Sequence, residues 1–141
     1  MGLNFLFFDN HENLVDTLPC KGLLDSKHYH VIAPFLKHEL HSSDMAECAL
    51  HVMEYLENNF PWVLKYSDIE DWTYEPNYQL FHKLMHRQDY DSLQKYYRME
   101  EDKVAMFADK TKLYDLWKLK NIYEIMQKYS IKTNYYAVFS S

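Results

Sequence analysis

Along most of this chain apolar residues recur at three- and four-residue steps, the spacing that gathers them on one side of an α-helix. The clearest stripe is Ala46, Ala49, Leu50, Met53 and Leu56, introduced by Ser43-Asp44 and closed by Asn58-Asn59 and Pro61. Trp62, Val63 and Tyr66 predict a short helix after it, and Ser67 with Glu70 has capping-box spacing. Asn77 is placed to cap a helix carrying Leu80, Phe81, Leu84 and Met85. Asp89 or Asp91 is placed to cap the next, with Leu93, Tyr96 and Tyr97 inward. Val104, Phe107 and Ala108 form a short stripe, and Leu113, Leu116, Trp117, Ile122, Ile125, Met126 and Tyr129 outline one or two closing helices. A further helical segment is expected from Glu12 to Leu18, stopped by Pro19. The two ends break the pattern. Leu3 to Phe8 is apolar but for Asn4 and reads as a strand or a buried terminal arm, and Tyr135 to Phe139 is aromatic and β-branched, so the two are placed to pair as strands.

With Gly 2 and Pro 4 in the chain, breakers are few, which argues against many tight hairpins and for helices joined by short polar turns. The helical segments also show internal similarity. Phe60-Pro61-Trp62-Val63-Leu64-Lys65-Tyr66 aligns with Tyr90-Asp91-Ser92-Leu93-Gln94-Lys95-Tyr96, and that with Tyr123-Glu124-Ile125-Met126-Gln127-Lys128-Tyr129. The offsets are 30 residues (60 to 90) and 33 residues (90 to 123). Leu50, Leu80 and Leu113 precede the aromatics, and Asn58-Asn59, Gln88-Asp89 and Lys120-Asn121 read as connecting turns. Copies therefore fall near 48–67, 78–97 and 111–130, with a fainter one near 20–37 whose Pro34 replaces the lysine. A period near 33 is typical of units that bury their apolar faces only by stacking on neighbours.

The unit resembles a degenerate ankyrin repeat, carried by Asn121 through Tyr129 with Glu124 and Ile125, and by Ala49-Leu50-His51. The stretch has none of the glycines that ankyrin repeats spend at turns, so plain stacked helix pairs fit better than a hairpin-bearing stack. In its glycine-poor, Tyr/Lys/Asn/His-rich style the chain is similar to ankyrin-like proteins of the multigene families of large DNA viruses such as African swine fever virus. That resemblance implies interference with host defence. The expected fold is mainly α: stacked helix-turn-helix pairs, ankyrin-like or another α-solenoid, with short terminal strands, in a single helical domain over 1–141.

Composition narrows the function. The 141 residues are 48% hydrophobic and 26% charged, a globular balance. A net charge of −6 repels nucleic-acid phosphate, and the densest basic stretch, Lys110, Lys112, Lys118 and Lys120, is interleaved with Asp109 and Asp115 as a solvated helix face. Cys20 and Cys48 have no CxxC spacing and make no disulfide framework, so a reducing, cytoplasmic compartment is expected. Asp9 and Glu12 follow the apolar N-terminus at once, Leu6 stands where a myristoylation signal needs Ser or Thr, and no apolar run is long enough to span a bilayer.

Candidate chemistry is thin. His82 and His86 sit at i, i+4, a metal-ligand spacing, but His82-Lys83-Leu84-Met85-His86 lacks the glutamate of HExxH. His28, His30, His38 and His41 with Glu39 form a second cluster of no recognised ligand spacing. The carboxylates at Asp68, Glu70 and Asp71, and at Glu100, Glu101 and Asp102, read as solvated turns or helix starts. No phosphate loop, dinucleotide fingerprint or nucleophile elbow is present. The expected role is therefore a non-enzymatic protein-interaction module without cofactor, its partner a host protein rather than nucleic acid or membrane. Trp72, Tyr74, Tyr78 and Tyr97 are the candidate anchors, since aromatics dominate binding faces. An immunity protein or antitoxin neutralising a basic toxin is the first alternative. A small metal-dependent hydrolase and a homo-oligomer built through the terminal arms are the others.

Overall fold

The structure, a computed structural model, describes residues 3–23, 26, 28–36, 39–65, 76–89, 91, 92, 95 and 110–140. The chain divides into two compact units, one made of Met1–Leu64 with Lys118–Ser141 and the other of Lys65–Trp117. Elements run in the order β1 (Asn4–Phe8), β2 (Leu14–Pro19), α1 (Tyr29–Ile32), a 3-10 turn (Ala33–Phe35), α2 (Ser42–Asn59), α3 (Pro61–Lys65), α4 (Pro76–His86), α5 (Lys110–Ser130) and β3 (Tyr136–Ser140).

The first unit is built on a three-stranded antiparallel sheet in the order β2-β1-β3. In β1 Phe5 and Phe7 are fully buried while Asn4, Leu6 and Phe8 are half-buried, the period of two expected of a strand. The terminal segments do pair: Phe5 stands opposite Phe139, Leu6 opposite Val138 and Phe7 opposite Ala137. On the inner face Phe7 stacks on Tyr129 of α5 at 5.0 Å and Phe5 meets Phe139 edge-on at 5.3 Å. Full burial of each such ring stabilises the fold by about 1.5–3 kcal/mol. Leu23, Ile32, Leu40, Met45, Leu56, Ile122 and Met126 complete the core.

Helix α2 starts where the backbone N–H of His41 donates to the Asp44 carboxylate at 3.0 Å, with that acid in the first turn facing the helix dipole. Its buried positions are Met45, Cys48, Ala49, Val52 and Leu56. The stripe is thus rotated from the one read in the sequence, for Ala46 and Leu50 are exposed. The helix ends as anticipated, with Phe60 at the C-cap and Pro61 opening α3 at a position that needs no N–H. Ser42 Oγ donates to the Ser130 carbonyl, satisfying an orphan acceptor at the end of α5.

The architecture overturns the stacked-solenoid expectation: the molecule is a small α/β fold in which a sheet, not a row of helix pairs, organises the core. The repeat fails on its own residues. Lys120-Asn121, read as an inter-helix turn, lies inside the unbroken helix Lys110–Ser130. Phe60 is a buried cap between two helices, whereas Tyr123 is half-buried in the middle of one, so the two aligned aromatics occupy different environments. Tyr90, the third, lies outside the described residues. Amphipathic helices share such spacing by geometry alone, which is what the alignment detected. Among the described residues no ankyrin-like stack of helix pairs is seen.

The expected helix from Glu12 to Leu18 is also corrected, since Leu14–Pro19 is strand β2. A helix that short is marginal by itself, and pairing with β1 outweighs it. The local cue was the turn: Asp9 Oδ1 accepts the N–H groups of His11 at 2.8 Å and Asn13 at 2.9 Å, and Asp9 N–H donates to the Asn13 carbonyl at 3.0 Å. Glu12 supplies the left-handed residue at φ 64, the position glycine ordinarily takes, so a scarcity of glycine did not prevent a hairpin. Lys120, assigned to a solvated basic face, is buried and lies 3.9 Å from Glu124, while Lys118 donates to the Lys21 carbonyl at 3.1 Å.

Candidate functional site

Alternation along the strands sorts their side chains onto two faces. Phe5, Phe7, Ala137, Phe139, Asp16 and Leu18 point to the helices, while Leu6, Phe8, Tyr136, Val138, Thr17 and Leu14 share the opposite side. That outer side is apolar. Leu6, Phe8, Tyr136 and Val138 are half-buried against one another, with Phe8 and Tyr136 stacked at 5.2 Å. Between Phe7 and Phe8 the β1–β2 register shifts, leaving Val15 as the extra residue of a bulge. Leu14 and Val15 there are 54% and 41% exposed, extending the patch to the β2 edge. None of the three strands carries a lysine or arginine, the residues that ordinarily blunt an open sheet edge, although Pro19 closes one end of β2.

Carboxylates rim this face. Leu40 and Ala137 exchange two backbone hydrogen bonds of 2.8 Å, a one-residue bridge on the far edge of β3. Because Leu40 and Ala137 both point inward, Glu39 and His41 are turned to the outer side. The His41 ring lies 6.2 Å from Tyr136, and its Nε2 is 3.7 Å from Glu39. Glu12 and Asp9 approach from the β1–β2 turn. Burial pushes the Tyr136 hydroxyl up, and the charges of Glu12, Glu39 and Asp9 push it further the same way. Asp9 itself is held below the usual carboxylate range, chiefly by the Asn13 N–H.

Two grooves lie elsewhere in the same unit. One, of 320 Å³, runs between β2 and α5, with Asp16 and Leu18 on one wall and Glu124, Ile125 and Lys128 on the other. The other, of 270 Å³, lies between α1 and α2 beside His30, His51, Glu54 and Tyr55. Next to it the buried His28 places Nδ1 2.8 Å from the Tyr55 hydroxyl, and Phe60 meets both rings. That cluster ties α1 to the C-terminal half of α2.

Of the anticipated anchors only the backbone of Tyr78 falls within the described residues. Trp72, Tyr74 and Tyr97 lie outside the described residues, as do the carboxylates at 68–71 and 100–102. Tyr78 belongs to α4. His82 and His86 are both exposed on that helix, and burial lowers the His82 pKa. His28 and His41 diverge, one into the core and one to the rim, and His38 lies outside the described residues. Among the described residues no three His, Cys, Asp or Glu side chains converge as a metal site would need. Both cysteines are free and buried. No helix among the described residues is long and apolar enough to cross a membrane.

The outer face was missed in the sequence, though a signal existed. Phe5-Leu6-Phe7-Phe8 is apolar at both alternate positions, the mark of a strand covered on two sides. Comparison with protein-family models, curated proteins and solved structures finds no match to the chain.

Proposed function

We propose that this chain is a non-enzymatic protein-interaction module and that the outer face of its sheet is the binding surface. The single observation behind this reading is the apolar side of Leu6, Phe8, Tyr136 and Val138, continuous with the exposed Leu14 and Val15. A sheet face with that composition is ordinarily covered, and a contiguous, partly exposed apolar patch marks a contact surface. The half-buried aromatics supply area at low conformational cost, since a ring fixes few torsions. A host factor, the partner class implied by the sequence style, is carried forward as part of this proposal.

The test is affinity capture with two baits, the parent chain and a Leu6→Thr/Val138→Thr variant that keeps strand propensity while thinning the patch. A protein retained by the parent and lost by the variant, with both baits equally folded by circular dichroism, is the expected result. Identical retention on the two baits would remove the outer face from consideration.

A further inference from the structure

The outer face carries a second kind of information, the sign of the charge around it. Its centre has no cation, since the strands hold neither lysine nor arginine. Its rim gathers carboxylates from two separate places, Asp9 and Glu12 in the β1–β2 turn and Glu39 before α2. Asp9 is occupied internally by the His11 and Asn13 N–H groups. Glu39 lies 3.7 Å from the exposed His41, and both side chains are at least half exposed. Such an exposed pair is worth about 0–1 kcal/mol and is readily exchanged for a better cation. Glu12 is exposed at the tip of the turn.

We propose that the outer face docks an extended protein segment whose apolar side chains sit on Leu6, Phe8 and Val138 and whose flanking lysines or arginines sit beside Glu12 and Glu39. This rests on the interaction reading above and names the chemistry of the partner. Two physical arguments support it. Rim charge of one sign selects the opposite sign and repels its own, which sets specificity and encounter rate more than affinity. The net charge of −6 extends that bias beyond the patch. A second copy of this chain carries the same net charge of −6 and is repelled by it at long range, whereas a basic segment is attracted.

The experiment uses two labelled strand-forming peptides, one alternating leucine with lysine and one alternating leucine with glutamate, followed by fluorescence anisotropy. The lysine peptide is expected to bind and the glutamate peptide not to. Raising the salt from about 50 mM to about 300 mM is expected to weaken the complex, because screening shortens the reach of the rim charges. Glu12→Gln/Glu39→Gln is expected to weaken it about 3–10-fold at low salt while melting like the parent. Equal binding of the two peptides, no binding of the lysine peptide, or an unchanged affinity in the Glu12→Gln/Glu39→Gln chain would overturn the assignment of a basic partner. The Leu6→Thr/Val138→Thr chain separates the two levels. If it binds the lysine peptide as tightly as the parent does, the apolar face itself is not the dock, whatever the rim does.

Discussion

At the scale of single residues, Tyr129 links three elements. Its ring stacks on Phe7 of β1, its hydroxyl donates to Asp16 of β2 at 3.0 Å, and Lys128 and Lys132 lie 5.2 and 5.6 Å from the ring centre. Burial first, then the hydrogen bond to Asp16, pushes its hydroxyl up to about 12. Burial likewise raises Cys20 to about 11 and Cys48 to about 12, from an ordinary thiol value of 9.0. All three groups hold their protons more tightly folded than unfolded. Their contribution is therefore fully present below the unfolded values and is lost as pH rises through the folded ones. The urea midpoint is expected to hold steady up to about pH 9 and then fall progressively toward about pH 12. In a Cys48→Ala chain the decline should be shallower over the same window. A midpoint indifferent to pH throughout it would contradict the burial of these groups. Tyr129 was recognised as inward-facing, but its bond to Asp16 spans distant parts of the chain and no local pattern encodes it.

At the scale of elements, turns govern where helices and strands stop. Left-handed positions fall on Glu12, Gln88 and Asn134 as well as Gly22. Gln88 ends α4 in a Schellman arrangement, with Asp89 N–H donating to the Leu84 carbonyl at 2.9 Å. A side chain with a β-carbon costs energy at φ 56, and glycine removes that cost. Gln88→Gly is thus expected to stabilise this helix end by about 0.5–1 kcal/mol, net of the entropy glycine adds to the unfolded chain. Slower hydrogen exchange of the Asp89 amide would register it, with Gln88→Ala as the control that gives no gain. Faster exchange in the glycine variant would refute the cap. In the same turn Asp89 Oδ1 accepts the Ser92 N–H at 3.1 Å, which is one of the two capping positions, Asp89 or Asp91, that the sequence offered. Helix existence was legible for α2, α3, α4 and α5 because their apolar periodicity is long or their stops are chemical. The misread β2 was too short to declare a period, and its partner strand decided its state.

For the whole molecule, the governing feature is that β1 and β3, from opposite ends of the chain, lie side by side. Such non-local pairing carries a loop-closure cost before it contributes, which slows folding relative to local contacts. Removing residues 136–141 strips one side of β1, exposes Phe5 and Phe7, and deletes the Leu40–Ala137 bridge. The truncated chain is expected to lose its cooperative thermal transition while keeping much of its helical circular dichroism. An unaltered melt would show that the sheet does not organise the first unit. The proposed binding surface belongs to this scale as well, because its residues come from β1, β3 and the segment before α2, and only the assembled sheet brings them together.

By itself the sequence determined the local matters: which stretches are amphipathic enough to be helices, where proline and capping residues stop them, and that both ends favour extended backbone. Those follow from interactions within a few residues of each other, which periodicity records. Tertiary structure decided the rest: that 14–19 is a strand, that Lys110–Ser130 runs as one helix through an apparent turn, and that one face of the sheet gathers half-buried apolar side chains from β1 and β3. Each of these depends on what packs against the segment, and a spacing of apolar residues states only that something must.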